Sequence, residues 1–405
     1  MSWNPVLNLI KQIKRDYENQ FNETSYELEH MIKKLNNNTY NEFIEHLQVN
    51  QKDEYVLIRY GLHEMGIGFW EDENSIYREC RSVVINVKDE ELVLTPYRKF
   101  FNLDEVEENK LEVVQEKFKK CETVEITNKL DGSMQNARWY KDKVFMTGSM
   151  SLSQESSWRL AEGYSMLNDN YTQMLKDYQD YTFIFEYISL KDAHVVIYNK
   201  EDEGLHLIGI RDTRDGQQLS YEQVISIAQS YNVKVVNQEF LTLDELLVQM
   251  KTIKSNEKEG WILNLDGHFI KLKCDDYVSI HRLLDKFSSI NVIIENVADG
   301  HYDDLISKVP EGYKQRVEKV ANKLINYINQ NTKVIYEYFD KAPKDDRKTF
   351  MTWVNDNVDK PLQAYVRNLY LGKSFNLLKS PSGSYKKLTD LNIELDYYAL
   401  FHDAS

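Results

Sequence analysis

"TNKLDGSMQNARWY", residues 127 to 140, sets Lys129 two residues ahead of an Asp-Gly pair and between two runs that read as strands. Asp-Gly favours a tight hairpin turn, so one reading makes Lys129 a solvated residue near a hairpin tip. The other makes its amine a nucleophile. The local residues fit both, and the decision rests on what the remainder of the chain supplies.

Outward from this stretch the pattern is of short strands. "TVEITNKL", "MQNARWY" and "KVFMTGSM" are separated by Asp-Gly and Lys-Asp turns. A helical insertion over about 154–178 precedes "TFIFEYISL", "HVVIYN" and "LHLIGIRD", all read as strands. Helices around 219–231 and 242–254 lead to "EGWILNLDGHFIKLKCD", a hairpin turning at Asp266-Gly267. Upstream, Val6, Leu7, Ile10, Ile13 and Tyr17 recur at helical intervals, and residues 1 to about 50 read as helix. "EYVLIRYGL", "RSVVINV" and "ELVLTPY" are β-branched runs, followed by a charged helix over 103–120. After about residue 283 the strand signal stops and long helical patterns take over, with Pro361 breaking one of them. The expected fold class is α+β, a domain of antiparallel sheets with helices over 1–285, followed by an all-helical domain over 286–405.

Bulk composition narrows the function classes. Apolar content of 42% with 28% charged residues is that of an ordinary globular protein. No apolar run reaches the ~18 residues that a spanning helix needs, and no secretory leader is evident, so no membrane partner is expected. Three cysteines without a CxxC pair argue against a disulfide framework or structural zinc and suit the cytoplasm. A net charge of −15 disfavours a passive polyanion coat while leaving room for a local basic cleft.

Several sites are rejected on spacing. "LGKSF" at 371–375 lacks the phosphate-loop glycine, because Arg367 stands five residues before Gly372. His63-Glu64 and His281-Arg282 have no partners at ligand spacing. What remains is a scattered polar set at strand ends. Arg81 and Lys99 flank the early strands, Glu186 interrupts "FIFEYI", and Glu259-Gly260 opens the late hairpin. Lys271 and Lys273 are two apart on a strand, so both amines project from one face. Such a set suits phosphoryl chemistry. Neighbouring cations would lower the pKa of a partly buried Lys129 and free its amine to attack phosphorus. The other cations would neutralise a triphosphate, and Glu186 and Glu259 could hold Mg2+ through water.

Lys129-Leu130-Asp131-Gly132 resembles the KxDG motif of the covalent nucleotidyltransferases, that is RNA ligases, DNA ligases and mRNA capping enzymes. Within that superfamily the chain is most similar to the bacteriophage RNA ligase 1 family. "RECRSVVIN" at 78–86, "YRKFFNLDE" at 97–105, "FEYI" at 185–188, "EGWIL" at 259–263 and "KLKCDDYVSIHR" at 271–282 match its further blocks in order. "VADGHYDDL" at 297–305 carries the likeness into the helical region.

The resemblance implies a nucleotidyltransferase (ATP-grasp-like ligase) fold and an ATP-dependent RNA ligase that joins 5′-phosphate and 3′-hydroxyl ends. Lys129 would carry AMP. Arg81, Lys99 and Phe101 would contact AMP or its phosphate, and Gly132 and Gly260 would line the nucleotide. Glu186 would bind ribose or metal, Glu259 would orient hydrated Mg2+ (with Mn2+ as a substitute), and Lys271 and Lys273 would hold the phosphates. Asp303 would be an added metal carboxylate, against the plainer reading of a helix cap. It further implies a monomer acting on single-stranded or nicked-loop RNA, such as a broken tRNA, in RNA repair, in the host cytoplasm if the gene is a phage's. Two departures stand out. Thr147 replaces the family's lysine before Gly148-Ser149, and "SLKDAHVVIY" replaces Pro-x-Asn-Arg after Glu186. The alternatives are a DNA ligase or capping guanylyltransferase, against which the lack of an evident oligonucleotide-binding barrel counts, or a catalytically silent RNA-binding homologue.

Overall fold

Asn4 starts the first helix, α1 (Pro5–Phe21), by accepting the Leu7 N–H at 3.0 Å, with Pro5 at the first helical position. Its apolar stripe, Val6, Leu7, Ile10, Ile13 and Tyr17, is buried with α2 (Leu28–Leu35) and α3 (Asn38–Glu45) against one face of a sheet. That sheet is β1 (Leu47–Lys52), β2 (Tyr55–Tyr60), β3 (Arg81–Asn86) and β4 (Glu91–Leu94), in that order. Helix was expected to run to about residue 50. Instead "LQVNQK" pairs with β2 along its whole length, so strand pairing overrides a weak local preference.

The computed structural model describes residues 2–61, 70–192, 195–287, 290–309, 311–380, 383–391 and 393, so His63-Glu64 and His194 lie outside the described residues. It divides into two units, Met1–Val278 and Ser279–Ser405. In the first unit β2 and β3 alternate strictly. Val56, Ile58, Val83 and Ile85 meet the helices, while Leu57 and Val84 pack on Tyr140 from the next sheet.

That second sheet has the order β10-β9-β7-β8, from β7 (Ser133–Tyr140), β8 (Lys143–Gly148), β9 (Tyr181–Ile188) and β10 (Gly204–Asp212). Its outer face is covered by α5 (Trp158–Ser165), α6 (Asp169–Asp177) and α7 (Tyr221–Ser230) around Phe183, Phe185, Met174 and Val224. The third sheet, β5-β12-β11-β6, joins β5 (Phe101–Asn102), β6 (Val124–Lys129), β11 (Gly260–Leu265) and β12 (His268–Lys273). Pairing is antiparallel throughout except between β5 and β12. Helices α4 (Leu111–Lys120) and α8 (Leu243–Thr252) complete the unit, and α9 (Asp275–Phe287) begins in it. The architecture is α+β with antiparallel sheets.

The second unit holds α10 (Ile290–Ala298), α11 (Tyr302–Lys308), α12 (Glu311–Lys341), α13 (Arg347–Asn357), α14 (Gln363–Tyr370) and α15 (Leu388–Leu391). Two apolar clusters hold it, one around Ile294, Ala321 and Leu324, the other around Ile335, Phe350, Val354 and Val366. Pro361 falls in the break between α13 and α14. "LGKS" is a helix end: Gly372 has φ 65°, and the Lys373 N–H returns to the Asn368 carbonyl at 2.9 Å. Among the described residues no helix is long and apolar enough to cross a membrane.

Candidate active site

Cross-strand register builds the site from one face of the third sheet. Lys129 lies opposite Gly260, and Gly260 opposite Lys273. The next rung is Thr127, Ile262 and Lys271, and the third is Glu125, Asn264 and Phe269. Opposed residues on a ladder share a face, so two rungs carry three lysines in a small area. Glu259, 3% exposed, sits just before β11 and answers two of them. Its Oε2 accepts from Lys129 Nζ at 2.7 Å and its Oε1 from Lys273 Nζ at 2.9 Å. Gly260 lets the β12 backbone approach closely beside the two lysines. Its φ is 151°, and a Cβ there would meet the Leu272 carbonyl oxygen at 1.9 Å.

The turn expected at Asp131-Gly132 is not a hairpin. β6 pairs with β11, whereas β7 pairs with β8 and β9, so residues 130–132 cross from one sheet to another. Neither Asp131 nor Gly132 has a positive φ, unlike Lys141-Asp142 and Asp266-Gly267, which do turn hairpins. The crossing brings Glu186 on β9 to the site, where its Oε1 accepts the Gly132 N–H at 3.1 Å. A Cβ on residue 132 would lie 2.5 Å from the Tyr187 carbonyl oxygen, which is why glycine stands there.

Asp131, whose role the sequence left open, fastens three segments. Its Oδ1 accepts from Tyr277 Oη at 2.9 Å, and its Oδ2 accepts the Val195 and Val196 N–H groups at 2.8 and 3.0 Å. Its own N–H donates to Tyr198 Oη at 2.7 Å. "HVVIYN" was expected as a strand, but residues 195–199 form none. The Val195 and Val196 donors go to this carboxylate, the Ile197 N–H to the Asn256 carbonyl and the Asn199 N–H to the Asp202 carboxylate, so none of the four enters a ladder.

The electrostatics reverse one expectation. Burial works against the Lys129 ammonium, but Glu259, Glu186 and Asp131 outweigh it and hold its pKa above the ordinary value. The same ion pairs overcome the burial of Glu259 and keep its carboxylate below the usual range. Lys271 is the amine pushed well down, by burial and then by Arg81, Lys99 and Lys129. Glu186 rises to about 7 through burial, offset by Lys129 and reinforced by Glu259. The cation cluster therefore acts on Lys271, while carboxylates govern Lys129.

Arg81, Lys129, Glu186, Lys271 and Lys273 line one pocket. Its apolar walls are Tyr97, Phe100 and Phe269, with ring centroids 5.3–5.7 Å apart, and Ile208, Leu219, Val224 and Val236. Phe101 is not among the lining residues. It pairs with Ile270, on the buried side of β12, and is 1% exposed against Trp70 and Val106. The neighbouring Phe100 takes the pocket side, 4.8 Å from both the Arg81 guanidinium and Lys271 Nζ. Lys99 Nζ lies over the Phe101 ring at 4.7 Å, outside the pocket, and reaches Lys271 only through its charge.

Thr147, the departure from lysine, is fully buried opposite Asn136 on β7. Neither its hydroxyl nor the Asn136 amide finds a hydrogen-bond partner among the described residues. Asp303 belongs to the second unit, exposed in the first turn of α11, where a carboxylate suits the helix dipole. Among the described residues no group of three or more His, Cys, Asp or Glu side chains forms a metal cage.

Residues 79–278 match the model of the RNA ligase family. Two solved structures of Naegleria gruberi RNA ligase, a variant with ATP and Mn and a form with pyrophosphate, are 17% and 18% identical. Each match covers 42% of this chain, with TM-score 0.34. The chain spans 54% and 55% of their lengths, about half. An archaeal ATP-dependent RNA ligase is 12% identical, TM-score 0.45, with 83% of this chain and 96% of that one covered.

Proposed function

We propose that this chain is an ATP-dependent RNA ligase that works through lysyl-AMP and 5′-adenylylated RNA, with residues 1–285 as the adenylyltransferase and 286–405 recognising RNA. The observation that carries the reading is the pair of ion pairs from buried Glu259 to Lys129 and Lys273, beside a third lysine on the same sheet face, within the segment that matches the RNA ligase family.

In the first step Lys129 Nζ attacks the α-phosphorus of ATP. A phosphorus–nitrogen bond forms, the bond to the β-phosphate bridging oxygen breaks, and pyrophosphate leaves. Glu259, 2.7 Å from Nζ, is placed to take the amine's proton. Lys271, held towards neutrality here, gains charge as a triphosphate arrives and becomes its counter-ion. Lys273 and Arg81 neutralise the remaining negative charge. AMP then passes to an RNA 5′-phosphate, and attack by a 3′-hydroxyl seals the strand and releases AMP. Mg2+ would be held by Glu186 and Glu259, hard oxygen donors that Mn2+ also accepts. With so few protein carboxylates, water and phosphate oxygens would fill the other positions. Its chemistry there is charge neutralisation on the phosphates. A further carboxylate from Asp303, and a broken tRNA as the physiological substrate, rest on family resemblance alone.

At the far end of the pocket Glu125 supports adenine as the base. Its oxygens accept the Tyr221 N–H and Asn264 Nδ2, both at 2.7 Å, and two acceptor positions remain on the carboxylate. An acceptor there suits the 6-amino group of adenine and repels the 6-oxo group of guanine.

The test is intact mass after incubation with Mg2+ and ATP. A gain of one AMP supports the reading, and an unmodified chain shown to be free of prebound AMP would sink it. With GTP in parallel, Glu125→Gln is expected to narrow the preference for ATP by about tenfold, one hydrogen bond's worth of discrimination. An unchanged ratio would remove Glu125 from base selection.

A further inference from the structure

We propose that Trp158 and Arg159, at the start of α5, form a platform on which an unpaired base at the broken RNA end stacks. The proposal rests on the ligase reading above and assigns part of its substrate contact.

Trp158 is 47% exposed, leaving part of its indole open to a ligand. The Arg159 guanidinium lies 4.9 Å from the indole centroid and backs the ring. That guanidinium is itself held by two bonds to Asp192, Nε to Oδ2 at 2.6 Å and Nη2 to Oδ1 at 2.7 Å. Asp192 is only 7% exposed, and its Oδ2 also accepts from Ser133 Oγ at 3.2 Å. Ser133 directly follows Gly132, so a short contact path ties Arg159 to the crossing segment that follows Lys129. The backbone is fixed as well. Gln135 on β7 donates to the Arg159 carbonyl at 2.8 Å, and Leu160 is buried in the core behind it.

The arrangement also gives a reason for the altered segment after Glu186. That segment contains Asp192, which draws an arginine in from α5. An exposed indole backed by an ion-paired guanidinium suits single-stranded nucleic acid, because any base can stack on it and the spare Nη1 can meet a phosphate.

The experiment uses the full chain as wild type, Trp158→Ala and Trp158→Phe, with ATP, Mg2+ and a 5′-phosphorylated single-stranded RNA. Two rates are followed, formation of the Lys129–AMP adduct and AMP transfer to the RNA end. Trp158→Ala is expected to form the adduct at the wild-type rate and to transfer AMP about tenfold more slowly at limiting RNA, the effect of one lost base stack. Trp158→Phe keeps a stacking face and is expected to recover most of the loss. Equal transfer rates in wild type and Trp158→Ala, or a parallel fall in adduct formation, would overturn the platform and leave the ligase reading standing. A wild-type chain that takes up no AMP would overturn the ligase reading, and the platform with it.

Discussion

Lys129→Ala is expected to show no AMP adduct at any ATP concentration, with intact mass equal to that of the unreacted chain. The adduct requires a primary amine at this position, and no neighbour can replace it. Lys273 sits across Gly260 and is engaged by the other Glu259 oxygen, while Lys271 is one rung further along. The fold should survive, because Glu259 keeps Lys273 as its counter-ion. Lys129→Arg is expected to fail equally, since a guanidinium does not lose its proton in water and cannot offer a lone pair. In the wild type, carboxylates raise the amine's pKa, so the reactive neutral fraction grows about tenfold per pH unit through the neutral range. Single-turnover adduct formation should therefore climb from about pH 6 to about pH 9 without a plateau. A flat profile would mean that the lysine is already neutral, as a cluster of cations alone would make it.

Glu259→Ala is expected to cost about 3–5 kcal/mol of stability, as well as the adduct, because it strips the shared counter-ion from two largely buried amines. With the pair intact, Glu259 has a folded pKa below its unfolded value. Its contribution is present above the unfolded carboxylate pKa of ~4.3 and is lost as pH falls through the folded value. The gap between wild type and variant should thus be full at neutral pH and close in acid. Urea midpoints measured across that range check it, and a gap that stays constant with pH would show that the loss is packing, not charge. Glu259→Gln is no gentle substitute, because its amide nitrogen would present a donor to one of the two ammonium groups.

Both effects hinge on contacts between residues 130 apart in sequence, and here the limits of reading the chain become physical. Lys271 and Lys273 on one face were legible from the two-residue period alone. The strands themselves were legible for the same reason, and β6, β7, β8, β11 and β12 lie where alternation put them. Phe100 and Phe101 were not separable, because adjacent phenylalanines take opposite faces and the parallel pairing with β12 chooses between them. The hairpin at Asp131-Gly132 failed because identical local residues serve a turn or a crossing. Only the distant partners β11 and β9 distinguish the two. The sign of the Lys129 shift failed likewise, since charge counts along the sequence do not say which charges lie nearest.

The crossing at residues 130–132 also acts as a ruler. One end is clamped where Lys129 meets Gly260, the other where Ser133 meets Tyr187. Each residue added between them would lengthen the link by roughly 3.3 Å. The clamps would then have to shift or the inserted residue bulge out, and the span from the lysine to Glu186 would no longer be set by the chain. The motif is thus a fixed length as much as a set of side chains, and chemistry at phosphorus inherits its tolerance from three residues.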